Sequence, residues 1–135
     1  MIKGLHHIGI ASKNIDKDIL FFNNFGYKTK GNRIEDTKGG IYVQFMCAEN
    51  QPDIEIVQNI EKNGPVTEHN IAKRKMFHSA YISDDIEADS NKFIEEQGAF
   101  FLVPITDVDN TESNIKRWCY LIFRNMMIIE LVEIK

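Results

Sequence analysis

The chain predicts an α+β fold built as two βαβββ modules, and two observations predict it. The first is an internal repeat: MFHSAYISDDIEADSNKFIEEQG at 76–98 restarts the programme of LHHIGIASKNIDKDILFFNNFG at 5–26. A shift of 71 positions lays His78 on His7, Ile86 on Ile15 and Phe93 on Phe22, and one further residue lays Gly98 on Gly26. The second is periodicity, since each copy passes from a strand-like run to helical spacing of apolar residues and then back to strand-like runs. One domain over 1–135 is expected, with module 1 at about 1–62 and module 2 at about 74–135.

Each element follows from local pattern. Leu5 to Ala11 reads as a buried strand; Asn14 then opens a helix in which Ile15, Ile19 and Phe22 recur on one face, and Gly26 is expected to cap its end. Three strands are expected over 27–36, 40–48 and 53–60, separated by turns at Gly39-Gly40 and Asn50-Gln51-Pro52. The stretch 61–74 is polar, carries Gly64 and Pro65, and reads as a linker. In the second copy Asp84-Asp85 caps the helix, AFFLV at 99–103 is strand-like and 104–114 reads as a polar loop. IKRWCYLIF and MMIIELVEI supply the last two strands. Each module would be a mixed sheet backed by its helix, with the open faces of the two sheets pairing.

At 135 residues, with 43% hydrophobic and 27% charged residues, the chain is long enough for one ordinary globular core. Its net charge of −4, with both signs interspersed, offers no basic stripe for nucleic acid or an anionic membrane. The longest apolar runs, such as WCYLIF, fall far short of the roughly 20 residues of a membrane span. A cytoplasmic protein acting on a small molecule is the expectation, with no nucleic acid and no membrane partner. Cys47 and Cys119 sit in hydrophobic segments without CxxC spacing and read as small buried residues.

The repeat also exposes a candidate site. Each half carries one His on its opening strand, His7 or His78, and one Glu on its closing strand, Glu55 or Glu130. Alternation puts His7 on one strand face with Gly9 and Ala11, while Ile8 and Ile10 turn to the helix side. Glu55 stands between Ile54 and Ile56, and Glu130 between Ile129 and Leu131. Carboxylates in such surroundings are costly unless a cation or partner neutralises them. Two imidazoles and two carboxylates suit one divalent ion, Zn²⁺ or Ni²⁺ first and Co²⁺ or Mn²⁺ as alternatives, acting as a Lewis acid. His6 and His69 have no counterpart in the other half, and Glu133 alternates onto the face of Ile129 and Leu131, so these three are read as non-ligands. Lys116, Arg117 and Arg124 either hold an anionic substrate or solvate a strand, and solvation is the favoured reading.

Together HHIGIA, DIEIVQN, FHSAYISDDIEA and IIELVEI resemble the vicinal oxygen chelate superfamily, the glyoxalase/bleomycin resistance fold, over almost the whole chain. The resemblance implies paired βαβββ modules forming a cup around a divalent metal, with His7, Glu55, His78 and Glu130 as ligands. It implies a glyoxalase I-type lyase or isomerase, converting the hemithioacetal of a 2-oxoaldehyde and a thiol to a thioester by proton transfer through an enediolate. Glu130 would be the base, and Glu55 its counterpart on the other face. The Asn that glyoxalase I places four residues after its second ligand is matched by Asn59, implying substrate binding, whereas its Arg four after the first ligand is replaced by Ala11. The alternatives are a methylmalonyl-CoA epimerase-like acyl-CoA epimerase, and a resistance-type protein that binds a small molecule without turning it over. The epimerase's third-strand Glu aligns with Val43, beside Gln44. Three-ligand relatives, the extradiol dioxygenases and fosfomycin-resistance proteins, fit less well with four ligands. Modules in this superfamily pair within one chain or across a homodimer, and a homodimer is expected.

Overall fold

The computed structural model describes residues 1–135. The fold is mixed α+β, and the chain divides into two compact units, His7–Phe77, and Met1–His6 together with His78–Lys135. No helix is long and apolar enough to cross a membrane.

In the unit His7–Phe77 the elements are β1 (Ile2–Ser12, entering the unit at His7), α1 (Ile15–Asn23), β2 (Lys28–Asp36), β3 (Ile41–Cys47), β4 (Asp53–Asn59) and α2 (Glu68–Ala72). The strands lie in the order β2-β3-β4-β1, with β1 parallel to β4 and the other pairs antiparallel. Asn14 starts α1 as expected, its side chain accepting from the Lys17 amide, while the Ile15 amide donates to Gln58 on β4 at 2.7 Å. Ile15, Ile19 and Phe22 then pack on Ile8, Ile10, Met46, Ile54 and Ile56. That packing fixes which face of β1 and β4 looks at the helix.

Two expectations change here. The helix stops before Gly26: Asn24 caps it, its amide donating to the Leu20 and Phe21 carbonyls. With those carbonyls satisfied, the left-handed Gly26 (φ 86°) serves the turn that follows rather than the helix end. The stretch 61–74 also contains a short helix, α2, which Thr67 caps by accepting from Asn70. Its polar composition gave no apolar periodicity to read, and none of its residues is buried.

The other unit holds β5 (Met76–Ser83, entering at His78), α3 (Ile86–Gln97), β6 (Phe100–Asp107), β7 (Ile115–Ile122) and β8 (Ile128–Ile134). Its strand order, β5-β8-β7-β6, repeats the first, with β5 parallel to β8. Asp85 caps α3, and Gly98 closes it in the left-handed conformation (φ 64°). A side chain at Gly98 would also meet the Arg124 guanidinium. Strand β6 runs on to Asp107, where a loop was expected from 104. Pro104 is tolerated because β6 is the edge of this strand set and the register shifts between Val103 and Thr106. The core of this unit is Ile86, Ala99, Cys119, Leu121 and Leu131, with Ile2, Phe93 and Ile94 packed against it.

The repeat extends to hydrogen bonds. Ser12 donates to Asp18, and its oxygen accepts the Asn14 amide; 71 positions on, Ser83 donates to Asp89 and accepts the Asp85 amide. Each strand end is thereby tied to the first turn of its helix.

Candidate metal centre

Strand alternation decides where the polar residues point. On β4 Ile54 and Ile56 seal the sheet against α1, so Glu55 between them faces the other way. Register places Gly9 of β1 and Phe45 of β3 beside Glu55, and His7 shares the face of Gly9 two residues away. Gly9 puts no side chain into this row. His7 is fully buried, its Nε2 lies 3.5 Å from Glu55 Oε2, and the Phe45 ring meets its imidazole edge-on at 5.4 Å.

The second unit builds the same arrangement. Leu131 and Ile129 turn toward α3, so Glu130 faces away from it. Its neighbours in register are Ala80 of β5 and Tyr120 of β7, where the first unit has Gly9 and Phe45. His78 Nε2 stands 3.0 Å from Glu130 Oε2, and the Tyr120 ring lies 5.0 Å from the imidazole.

His7 and Glu55 are buried together in the first unit, and His78 and Glu130 are buried together in the second. A carboxylate withdrawn from water beside an imidazole is costly unless a proton or a cation neutralises it. Two imidazole nitrogens and two carboxylate oxygens form a donor set that suits a divalent transition ion. The residues present fit a metal, and the buried His/Glu group can hold one. Phe45 and Tyr120 were not singled out from the sequence. Their signal is register: each is the cross-strand neighbour of a Glu.

The remaining candidates lie elsewhere. His6 is half-buried on β1, and His69 is exposed on α2. Glu133, on the α3 side of β8, pairs with Lys116 at 2.7 Å and with Arg117. Arg117 also grips Glu87 of α3, and the two carboxylates raise its pKa further while it holds theirs below the usual range, helped at Glu133 chiefly by Lys116. It ties β7 to α3 and β8, rather than being merely solvated. Arg124 is exposed beside Gly98. Asn59 donates to the Val66 carbonyl at 2.7 Å and accepts the Val66 amide at 2.9 Å, so both ends of its amide close the loop 60–66. Of the acidic pair before α3, Asp85 caps while Asp84 meets the N-terminal amine and Lys3, which lower its pKa to about 2. Cys119 is buried, and Cys47 is half-buried.

Comparison with known proteins agrees with this architecture. Residues 6–122 match the sequence profile of the Glyoxalase/Bleomycin resistance protein/Dioxygenase superfamily. Among curated proteins, the uncharacterized protein YwbC of Bacillus subtilis (strain 168) is 32% identical over 113 residues, covering 82% of this chain and 84% of that protein. Among solved structures, methylmalonyl-CoA epimerase from Mycobacterium tuberculosis is similar with a TM-score of 0.80 at 18% identity, over 99% of this chain and 89% of that one. A variant of Streptomyces coelicolor methylmalonyl-CoA epimerase in complex with 2-nitronate-propionyl-CoA is similar with a TM-score of 0.79 at 15% identity, over 98% of both chains. At such identities the likeness is one of fold. The profile match over most of its length makes this chain a member of the glyoxalase/bleomycin resistance protein/dioxygenase superfamily.

Proposed function

We propose that this chain catalyses metal-assisted proton transfer at the carbon next to a thioester carbonyl, as an acyl-CoA epimerase does. The observation that carries the reading is the pair of buried carboxylates, Glu55 and Glu130, each beside an imidazole at 3.5 or 3.0 Å. The epimerases among its fold neighbours support a CoA thioester ahead of the hemithioacetal that the glyoxalase I resemblance implied. A divalent ion held by His7, Glu55, His78 and Glu130 supplies a Lewis acid that polarises the carbonyl and acidifies the adjacent C–H.

The protein's own part is to move the proton. Epimerisation breaks a C–H bond on one face of the carbon and forms one on the other, so it needs two proton-carrying groups. Glu130 takes the proton, and Glu55, its counterpart in the repeat, returns one to the opposite face. Strand β3 brings no third acid: Val43 and Phe45 share the face of Glu55, and Gln44 turns away to donate to the carbonyls of Gly31 and Phe45. Phe45 and Tyr120, packed on the two imidazoles, limit the water that would solvate the carboxylates.

Incubating the metal-loaded protein with a 2-methylacyl-CoA in deuterated water tests the reading. Deuterium should enter the 2-position with inversion, and Glu130→Gln should reduce the rate at least 100-fold. Exchange as fast in Glu130→Gln as in the parent removes the base assignment. The second reading, a glyoxalase I-type isomerase, is favoured by the same donor set of two His and two Glu. It expects turnover of a methylglyoxal hemithioacetal but no exchange into the CoA thioester. Binding of either compound with no exchange would mark a sequestering protein instead.

A further inference from the structure

An open cleft of about 350 Å³ in the unit His7–Phe77 is lined by Lys13, Asn14, Lys17, Asp18 and Lys75. Its volume falls within the roughly 300–1,000 Å³ of small-molecule clefts. Three of the five lining residues are lysines, in a chain whose net charge is −4. The one carboxylate in the lining, Asp18, is already engaged: the Ser12 hydroxyl donates to it, and Lys75 Nζ lies 3.5 Å away. Lys75 is fixed at the cleft by two further bonds, its carbonyl accepting the Ala11 amide at 2.7 Å and its Nζ donating to the Ala11 carbonyl at 2.9 Å. Lys13 and Lys17, by contrast, make no such bridge across the cleft, and both are exposed around the start of α1. Lys75 lies 62 residues after Lys13, which hides the cluster from a reading of sequence alone.

We infer that this cleft binds the phosphate groups of a CoA thioester substrate, an inference that rests on the acyl-CoA reading above. Ammonium groups on flexible stems suit solvated, multiply charged phosphates, which they hold as point charges without a fixed fork geometry. Placement supports the match. CoA carries its charge at the far end of an extended pantetheine arm, so its phosphates must be held well away from the reacting carbon. The cleft stands at the end of β1, five residues beyond His7, which is roughly 17 Å of extended strand. A hemithioacetal of a small thiol carries no phosphate and has no comparable claim on the lysines.

The test measures binding of free CoA and of pantetheine to the full-length protein by equilibrium dialysis at low ionic strength, without turnover. CoA should bind at least tenfold more tightly than pantetheine. The advantage should vanish in Lys13→Gln/Lys17→Gln and shrink at about 0.5 M salt. Metal content and thermal unfolding of the variant should match the parent, because neither lysine bonds within the fold as Lys75 does. Equal affinity for CoA and pantetheine, or a CoA preference that survives the double substitution, overturns the inference. Its failure is separable from failure of the epimerase reading. Deuterium exchange that runs equally well on acyl-CoA and acyl-pantetheine overturns the cleft alone, whereas lysine-dependent CoA binding without any exchange overturns the epimerase alone.

Discussion

His78 Nε2 stands 3.0 Å from Glu130 Oε2, and both residues are at least 95% withdrawn from water. Such a pair loses its hydration on folding and gains from a shared cation. Purified protein should therefore carry about one divalent ion per chain, and His78→Ala should lose it. Adding the ion at 100 times its dissociation constant to the stripped protein should stabilise it by about 2.7 kcal/mol, several degrees of Tm. A stripped protein whose Tm ignores Zn²⁺, Ni²⁺, Co²⁺ and Mn²⁺ alike would refute the metal assignment.

The bonds that tie each strand to its helix make a second prediction. Ser83 and Asp89 are both buried and share a 2.6 Å hydrogen bond, and Ser12 and Asp18 repeat it in the first module. A hydroxyl donating to a carboxylate is worth roughly 1.5–3 kcal/mol. Ser83→Ala and Asp89→Asn should each destabilise, and the double variant should be less unstable than their sum by about 1–2 kcal/mol. Urea unfolding of the four proteins measures this, and strict additivity would show that the two side chains act independently.

Those four residues also show why so much was legible in the chain. The serine, the capping Asn14 or Asp85, the apolar Ile15 or Ile86 and the aspartate recur at one offset, and the bonds from serine to aspartate and from each cap to its helix are local. The same offset pairs His7 with His78, and strand alternation then gives the direction of each side chain. What stayed hidden is what depends on contacts distant in sequence. Arg117 looks solvated until Glu87, 30 residues away, and Glu133, 16 residues away, close on it. Helix α2 starts at the Thr67 cap and brings only Ile71 against the core, too little for periodicity to show.

Arg117 leads to a pH prediction. The Glu87 and Glu133 carboxyls titrate below their usual range, Glu87 chiefly through its bond from Arg117 and Glu133 chiefly through its bond from Lys116. A group with a depressed folded pKa stabilises the fold above its unfolded pKa and loses that contribution as pH falls through the folded value. Stability from these contacts should thus be complete above about pH 5 and decline as pH falls below it through the depressed folded values. Arg117→Gln should lower the urea midpoint at pH 7 and flatten this acid limb, bringing parent and variant together once both carboxyls are protonated. Curves that stay parallel throughout would mean that Arg117 contributes by packing alone.

The two cysteines offer a chemical check on the core. Cys119 lies at the centre of the second unit between Leu121, Leu131 and Ile86, and burial pushes its thiol up to about 12. The thiolate is the reactive form, so at pH 8 only about one Cys119 in 10⁴ is poised to react, before its burial is counted. Cys47, at the end of β3, is only half-buried. An aromatic disulfide reagent at pH 8 should therefore modify one thiol per folded chain within minutes and the second only at the rate of global unfolding. Cys47→Ser should abolish the fast phase and leave the slow one. A fast reaction at both sites would mean that the sheet opens locally around β7, which the packing of Cys119 against α3 and β8 forbids.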